Sequence, residues 1–368
     1  MISPEDYRLV QILESNPLMP FSEFAAELGI SWPTAKKRVN ELKNKGVIRT
    51  PMALCDHERL GLCRISFIWA LKNRKSLLLI EKLCDIHPYT VYRCRGYGEG
   101  FILFVQFYVP PEAISLMSEF SIMLKEQEYL SDTKFLESSG INLETFPNIN
   151  YFNYRTNEWN FDWNNWTSLV SKQSQNIKQK KISKISFKDW EPIDFEILRS
   201  LTANAERKQA DLMREFNLSR TEIHRRYSRV YKNLVSSVRL RYNRIIFNLV
   251  NTNLFWIPKP DIKTRNQFFN LMKGSPPPFR MELDILKNDG LLLWAGAIPP
   301  IHEHRLAFSL WHLFKTFETY TLDTSVESAV SYKFYPKNFD FETWNWINDR
   351  NYIIEQPLKE LEKIKLEI

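Results

Sequence analysis

The chain is short of glycine. It has ten in 368 residues, and neither GxGxxG nor GxxxxGK[ST] occurs, so the glycine-rich loops that cradle nucleotide phosphates are excluded. Cysteine is equally sparse. Cys55, Cys63, Cys84 and Cys94 lie in the first third without a CxxC pair, which argues against a zinc site or disulfide frame and for reduced cytoplasmic thiols. The longest apolar run, residues 101–109, is interrupted by Gln106 and falls far short of the ~20 residues that span a bilayer. Pro4, Glu5 and Asp6 near the start do not read as a secretion signal, so a cytoplasmic location with no membrane partner is expected. The one histidine grouping is His302, His304 and His312 beside Glu303. Residues two apart point ~200° apart on a helix, so solvated histidines are expected and no metal. No catalytic group and no cofactor are expected either.

The composition that remains is that of a folded protein: 44% hydrophobic, 25% charged and a net charge of +7. At ~100–200 residues per domain it makes two to three domains. The sequence also contains itself twice. Shifted by 188 positions, residues 4–48 align without a gap on residues 192–236, with eight of 45 identical. The apolar pattern carries the match. Ala35, Val39 and Leu42 fall on Ile223, Tyr227 and Val230, each set at the i, i+4, i+7 spacing of one helix face. Further on, residues 100–111 resemble 290–300, a strand stopped by a double proline. Phe161, Asp162 and Trp166 are matched to Phe341, Glu342 and Trp346 as a closing aromatic motif.

Each head reads as three short helices, in the first copy about residues 4–16, 21–28 and 32–45. Gly29 ends the second helix and Ser31 caps the third. The second copy has Asn217 at the turn and a capping-box pattern at Ser219 and Glu222. A short turn between amphipathic helices is helix-turn-helix geometry, which presents the later helix to the major groove. Opposite the core face the first copy presents Pro33, Lys36, Lys37, Asn40, Glu41 and Asn44. The second presents Arg220, Thr221, His224, Arg225, Ser228, Arg229 and Lys232. Residues 31–45 and 219–232 each carry +4, so charge concentrates on the two third helices. Double-stranded DNA is the expected partner. The retained pairs Glu27/Arg38 and Glu215/Arg226 are expected to form two structural ion pairs rather than DNA contacts.

These residues resemble a known family. Asp6, Leu9, Ile12, Leu13, Asn16 and Pro17, then Phe24, Leu28, Gly29 and Ser31, then Val39, Leu42, Gly46 and Ile48 look like the head of Lrp/AsnC-type transcription regulators. The resemblance implies an α+β fold, a winged helix-turn-helix followed by a ferredoxin-like βαββαβ body, here duplicated. It also implies an amino-acid-like effector at the turn Gly96, Tyr97, Gly98 and Glu99. The second copy keeps one of that turn's three glycines, in residues 287–290.

The expected order is residues 1–52 first head, 53–166 first body, 167–190 a lysine-bearing solvated linker, 191–244 second head, 245–350 second body and 351–368 an amphipathic helix that docks on its own protein or serves an oligomer contact. The bodies should pair within the chain as a pseudo-dimer, with other surfaces free for homo-oligomers. Unlike recognition faces should favour an asymmetric site. The rival is an enzyme. Some proteins with such heads and bodies are similar to sirohaem decarboxylases, and His57, His87 and Tyr92 are then candidate ligands or acids without second-copy equivalents. A protein-docking scaffold is the third reading.

Overall fold

The computed structural model describes residues 3–177 and 184–367, which separate into two compact units. One gathers both heads: the chain up to Leu60, Asn148–Asn160 and Ile185–Val250. The other gathers both bodies: Gly61–Pro147, Phe161–Lys184 and Asn251 onward. The sequential string of domains read from the sequence is thus sorted by kind.

In the head unit, helices α1 (Pro4–Ser15), α2 (Phe21–Leu28) and α3 (Trp32–Asn44) recur as α7 (Pro192–Ala203), α8 (Gln209–Phe216) and α9 (Arg220–Leu234), each starting 188 positions later. Ser3 and Ser31 cap α1 and α3, and Pro4 and Pro33 occupy first turns where a missing N–H is harmless. Gly29 and Asn217 both stop the middle helix in the left-handed conformation. Leu9, Phe24, Ala35, Val39 and Leu42 are buried, as are Ile197, Leu198, Leu212, Ile223 and Val230. Each large aliphatic among them contributes about 1.5–3 kcal/mol. Strand β1 (Ile48–Cys55) pairs antiparallel with β8 (Val235–Tyr242), so the two wings form one ribbon between the heads. The ribbon is extended at its ends, where Asn243 donates to the Val47 carbonyl and Asp56 to that of Leu234.

The body unit repeats βαββαβ. Strands β2 (Cys63–Leu71), β3 (Thr90–Tyr97), β4 (Phe101–Val109) and β5 (Leu130–Thr145) carry helices α4 (Arg74–Ile86) and α5 (Ile114–Glu126). The second copy has β9 (Asn251–Ile257), β10 (Arg280–Leu286), β11 (Leu291–Ile298) and β12 (Glu318–Leu322), with α10 (Ile262–Gly274) and α11 (Pro300–Phe314). β5 crosses from one sheet to the other: residues up to Glu137 pair with β2, and those from Ser138 with β10. β12 pairs with β3 at the opposite edge. Among the described residues eight strands therefore close into a barrel, in the order β12, β9, β11, β10, β5, β2, β4, β3. The expected pairing of bodies within the chain is seen as two shared sheet edges. An eight-stranded barrel is narrow enough for side chains to fill. Ile68, Phe104, Leu136, Leu254, Leu292 and Trp294 do so, and the Arg64 guanidinium reaches across the copies to Asp284 at 2.8 Å.

Three expectations on this part of the chain change. The closing motif aligns differently: the hairpin β6 (Phe152–Asn153) with β7 (Glu158–Trp159) is the counterpart of β14 (Phe339–Asp340) with β15 (Asn345–Trp346). Asn157 and Trp344 hold the same left-handed turn position in the two, so Trp159 corresponds to Trp346, and Trp163 and Trp166 belong to a separate helix, α6 (Trp163–Ser168). The linker is not free where it is described. Side-chain amides of Asn266, Gln267 and Asn270 on α10 donate to the carbonyls of Ser171, Gln173, Ser174, Gln175 and Asn176, because a row of amide donors on one helix face can zip an extended backbone. Residues 178–183 of the expected linker lie outside the described residues. Finally, His302 is buried rather than solvated, accepting from Trp163 Nε1 at 2.8 Å, while His304 and His312 are exposed.

The remaining strand β13 (Val330–Ser331) adds to β3. After a π-helical turn at Asn351–Glu355, helix α12 (Gln356–Glu367) buries Leu361 and docks on α4, as expected of the tail. No helix of the described residues is long and apolar enough to cross a membrane.

Candidate nucleic-acid interface

The third helices fulfil the geometry their sequences imply. α3 buries Ala35, Val39 and Leu42 and leaves Pro33, Lys36, Lys37, Asn40 and Asn44 exposed. Lys36 lies 5.2 Å from the centre of the Trp32 ring, a cation–π contact that leaves its ammonium in water. Lys37 stands 4.0 Å from Glu41, one turn away. On α9, Arg220, Thr221, His224, Arg225, Ser228 and Lys232 are exposed, and Arg220, Arg225 and Lys232 have no carboxylate partner among the described residues. His224 Nδ1 meets Gln209 at 3.2 Å across the turn from α8.

Arg229 differs from that group. Its guanidinium is drawn to the carboxylate of Asp194 and the carbonyl of Asp189, and stacks 4.7 Å from the Trp190 ring. Arg226, whose side chain is 4% exposed, binds Glu191 at 2.8 Å, Glu222 at 3.0 Å and Asp194 at 3.2 Å. The expected Glu215–Arg226 pair does not form. Glu215 pairs with Arg207 instead, because Arg226 points inward toward α7, where a fully buried Asp194 requires a cation. Nor is Arg38 paired with Glu27, which lies exposed and whose carbonyl accepts from Arg8. The capping box at Ser219 is half formed: Ser219 accepts from the Glu222 N–H, but the Glu222 carboxylate turns to Arg226. The buried ionic cluster was missed from the sequence. Its signal in the sequence is that Asp6 falls on Asp194 at the 188-residue offset.

The heads hold each other. Lys43 on α3 binds Glu206 at 2.7 Å in the second head. Arg59 of the first copy donates to the carbonyls of Lys232 and Asn233 at the end of α9, at 3.3 and 3.5 Å, where a helix leaves acceptors free. The Tyr242 hydroxyl of β8 donates to Glu14 on α1 at 3.3 Å. Burial pushes the Glu14 carboxyl up to about 8, against the lowering by Tyr242 and the Ile149 backbone.

The other expected groups fall elsewhere. Gly96 and Tyr97 end β3 where it meets β12, opposite Leu322 and Thr321, and Gly98 and Glu99 lie in the bend that follows. A Cβ on Gly96 would lie 2.8 Å from Leu322 Cδ2, and one on Gly98 2.8 Å from Tyr320 Cδ1. These two glycines let the barrel close. His87 is buried against Phe107 and Phe120 with Nε2 3.1 Å from the Ile353 carbonyl, and burial holds its pKa down near 4. Tyr92 packs inside the barrel against Phe104 and Trp294. His57 is half-buried. The four cysteines are unbridged and burial raises each thiol. Among the described residues no three metal-ligating side chains converge.

Residues 6–49 and 191–231 each match the winged helix-turn-helix DNA-binding family. No curated protein matches the chain in sequence. Among solved structures, the siroheme decarboxylase NirDL is similar over 99% of this chain and 100% of its own, at 15% identity and a TM-score of 0.57. NirDL in co-complex with an iron-uroporphyrin III analogue is similar at 14% identity over 98% of this chain and 99% of that chain, with a TM-score of 0.56. AsnC of E. coli is similar at 22% identity over 38% of this chain and 93% of its own, with a TM-score of 0.32. The chain has two winged-helix regions and the whole-chain fold seen in NirDL.

Proposed function

We propose that the protein is a sequence-specific DNA-binding transcription regulator that reads one asymmetric site with two unlike recognition helices. The observation that carries this reading is that both winged-helix regions expose a basic face on the third helix, with Lys36 and Lys37 in one copy and Arg225 and Lys232 in the other standing in solvent. A solvated basic face needs no partner when it occurs once. Its recurrence on the groove-reading helix of both copies, while the apolar faces stay in the core, favours phosphate and base contacts. The arginine fork suits guanine and asparagine suits adenine. The half-site under Arg220 and Arg225 is therefore richer in G than that under Asn40 and Asn44. Arg229 is not a reader, since its fork is used on Asp194. The test is retardation of duplex fragments, selected from genomic DNA with the full chain, across a salt series. Replacing Lys36 and Lys37, or Arg225 and Lys232, by alanine should lower the log–log salt slope by about two, with thermal unfolding nearly unchanged. Equal affinity and slope in both double variants refutes the assignment.

The whole-chain likeness to a siroheme decarboxylase favours a second reading, in which the chain takes an iron tetrapyrrole as substrate and decarboxylates it. Of the residues that the sequence offered for that chemistry, His87 does not help it, since it is enclosed by aromatic rings and a backbone carbonyl. A stoichiometric Soret band on adding iron-uroporphyrin III, with carbon dioxide released from sirohaem, would establish the enzyme. A chain that binds DNA in a salt-dependent way and leaves both tetrapyrroles unbound is the regulator.

A further inference from the structure

The ribbon between the heads has a charge pattern that the two recognition helices leave unexplained. Arg49 on β1 lies directly opposite Arg241 on β8. Both are exposed. Arg241 donates to the Thr50 carbonyl at 3.1 Å, and among the described residues no carboxylate pairs with either guanidinium. Like charges directly opposite on one face of a two-stranded sheet repel and cost stability. Arg239 shares the face of Arg241, two residues away, while Leu240 between them is buried.

The pattern is confined to one end. β1 begins just after α3, so Arg49 and Arg241 sit where the first recognition helix ends. At the pseudo-equivalent end, where α9 runs directly into β8, Leu54 faces Ser237 and Cys55 faces Val235. The copies have thus diverged: one end of the ribbon gathers cations at a cost, and the other is neutral. It is the first head, whose exposed face carries lysine and asparagine but no arginine, that has arginines beside it.

We propose that Arg49 and Arg241 clamp the DNA backbone beside the first head, each binding a phosphate outside the bases read by α3. The second copy's strand thereby supplies half of the first head's grip. Phosphate is the ligand chemistry that fits: the guanidinium fork binds it bidentately, and two phosphates relieve the repulsion that the free ribbon endures. The inference rests on the DNA-binding reading above and extends it to a site outside both recognition helices.

The test compares the full-length wild type, Arg49→Ala/Arg241→Ala and Arg225→Ala/Lys232→Ala on one selected duplex. The ribbon variant should lose about two from the magnitude of the log–log salt slope. It should lose hydroxyl-radical protection on the first head's flank only, and unfold at the wild-type temperature or above it, because a repulsion has been removed. Unchanged slope and flank protection, with wild type still binding, overturns the clamp and leaves the regulator standing. So does a lower unfolding temperature accompanying the lost affinity, which would make the arginines structural. A wild type that retards no duplex removes the DNA-binding reading, and the clamp with it.

Discussion

The two heads share their helix boundaries at a constant offset, yet they are held in different ways. In the first, Asp6 is half-exposed and accepts from the Ser3 N–H as part of a cap. Its counterpart, Asp194, is fully buried and takes both Arg226 and Arg229. A charge reversal on the third helix accompanies the difference: the first head has Glu41 where the second has Arg229. A second cation on the third helix makes it worthwhile to bury the carboxylate, and burying it fixes α9 against α7. The difference teaches that duplication freed each head to combine stability and recognition on its own terms. The second head uses two basic residues of its third helix, Arg226 and Arg229, internally, and the first has more basic surface near its ribbon.

The largest effect expected from this comparison is on stability. Asp194→Ala strands Arg226 with its most buried partner gone, and losing one member of a buried charge cluster costs about 3–5 kcal/mol. Asp6→Ala should cost no more than about 1 kcal/mol, the scale of a cap. Urea unfolding followed by circular dichroism measures both, and equal losses would mean that the buried cluster is not what distinguishes the heads.

The bodies differ too, at the two seams of the barrel. The β5–β10 seam is made by one long strand, whereas β3 meets β12 through Gly96 and Gly98. Gly96→Ala and Gly98→Ala should each cost about 1–3 kcal/mol by overpacking. Gly100→Ala, where nothing lies within 4 Å of the added carbon, should be nearly silent. Silence at all three positions would show that the seam can widen without penalty.

A smaller effect sharpens the comparison of heads. The first copy has Glu14 where the second has Thr202. Because the folded chain holds the Glu14 proton up to about pH 8, it binds a proton that the unfolded chain has already released. Glu14 therefore contributes stability that is full below the ordinary carboxylate range and is lost as pH rises toward 8. The side chain is partly exposed, which discounts the change to at most a few kcal/mol. Glu14→Gln should flatten that decline between pH 5 and 8, as read from unfolding midpoints. A decline of the same slope in the variant would assign it to another group.

Much of this architecture was legible in the residues. Helix starts followed from Ser31 and Ser219, whose capping is local chemistry, and β4 and β11 followed from apolar runs stopped by a double proline. What was not legible was always a choice of partner. Arg226 had several carboxylates within reach in sequence, and only the packing of α7 on α9 decided for Glu191 and Asp194 over Glu215. The closing motif slipped because aromatic residues recur too often in 151–166 for spacing alone to set the register. The turn at Asn157 and Trp344 sets it in space. Residues 171–176 look like solvated linker until the amides of α10 are brought alongside.

The sequence by itself determined the duplication, the three-helix heads and the basic faces, because each is written in a period of a few residues or in an offset of the chain against itself. Only the tertiary structure decided that the wings pair with each other, that the sheets close into a barrel and that Arg49 comes to face Arg241. Those contacts join residues far apart in the chain, Gly96 and Leu322 by more than 220 positions. Their free energy comes from registers and close approaches, such as that of Gly98 to Tyr320, that leave no periodic trace in either strand.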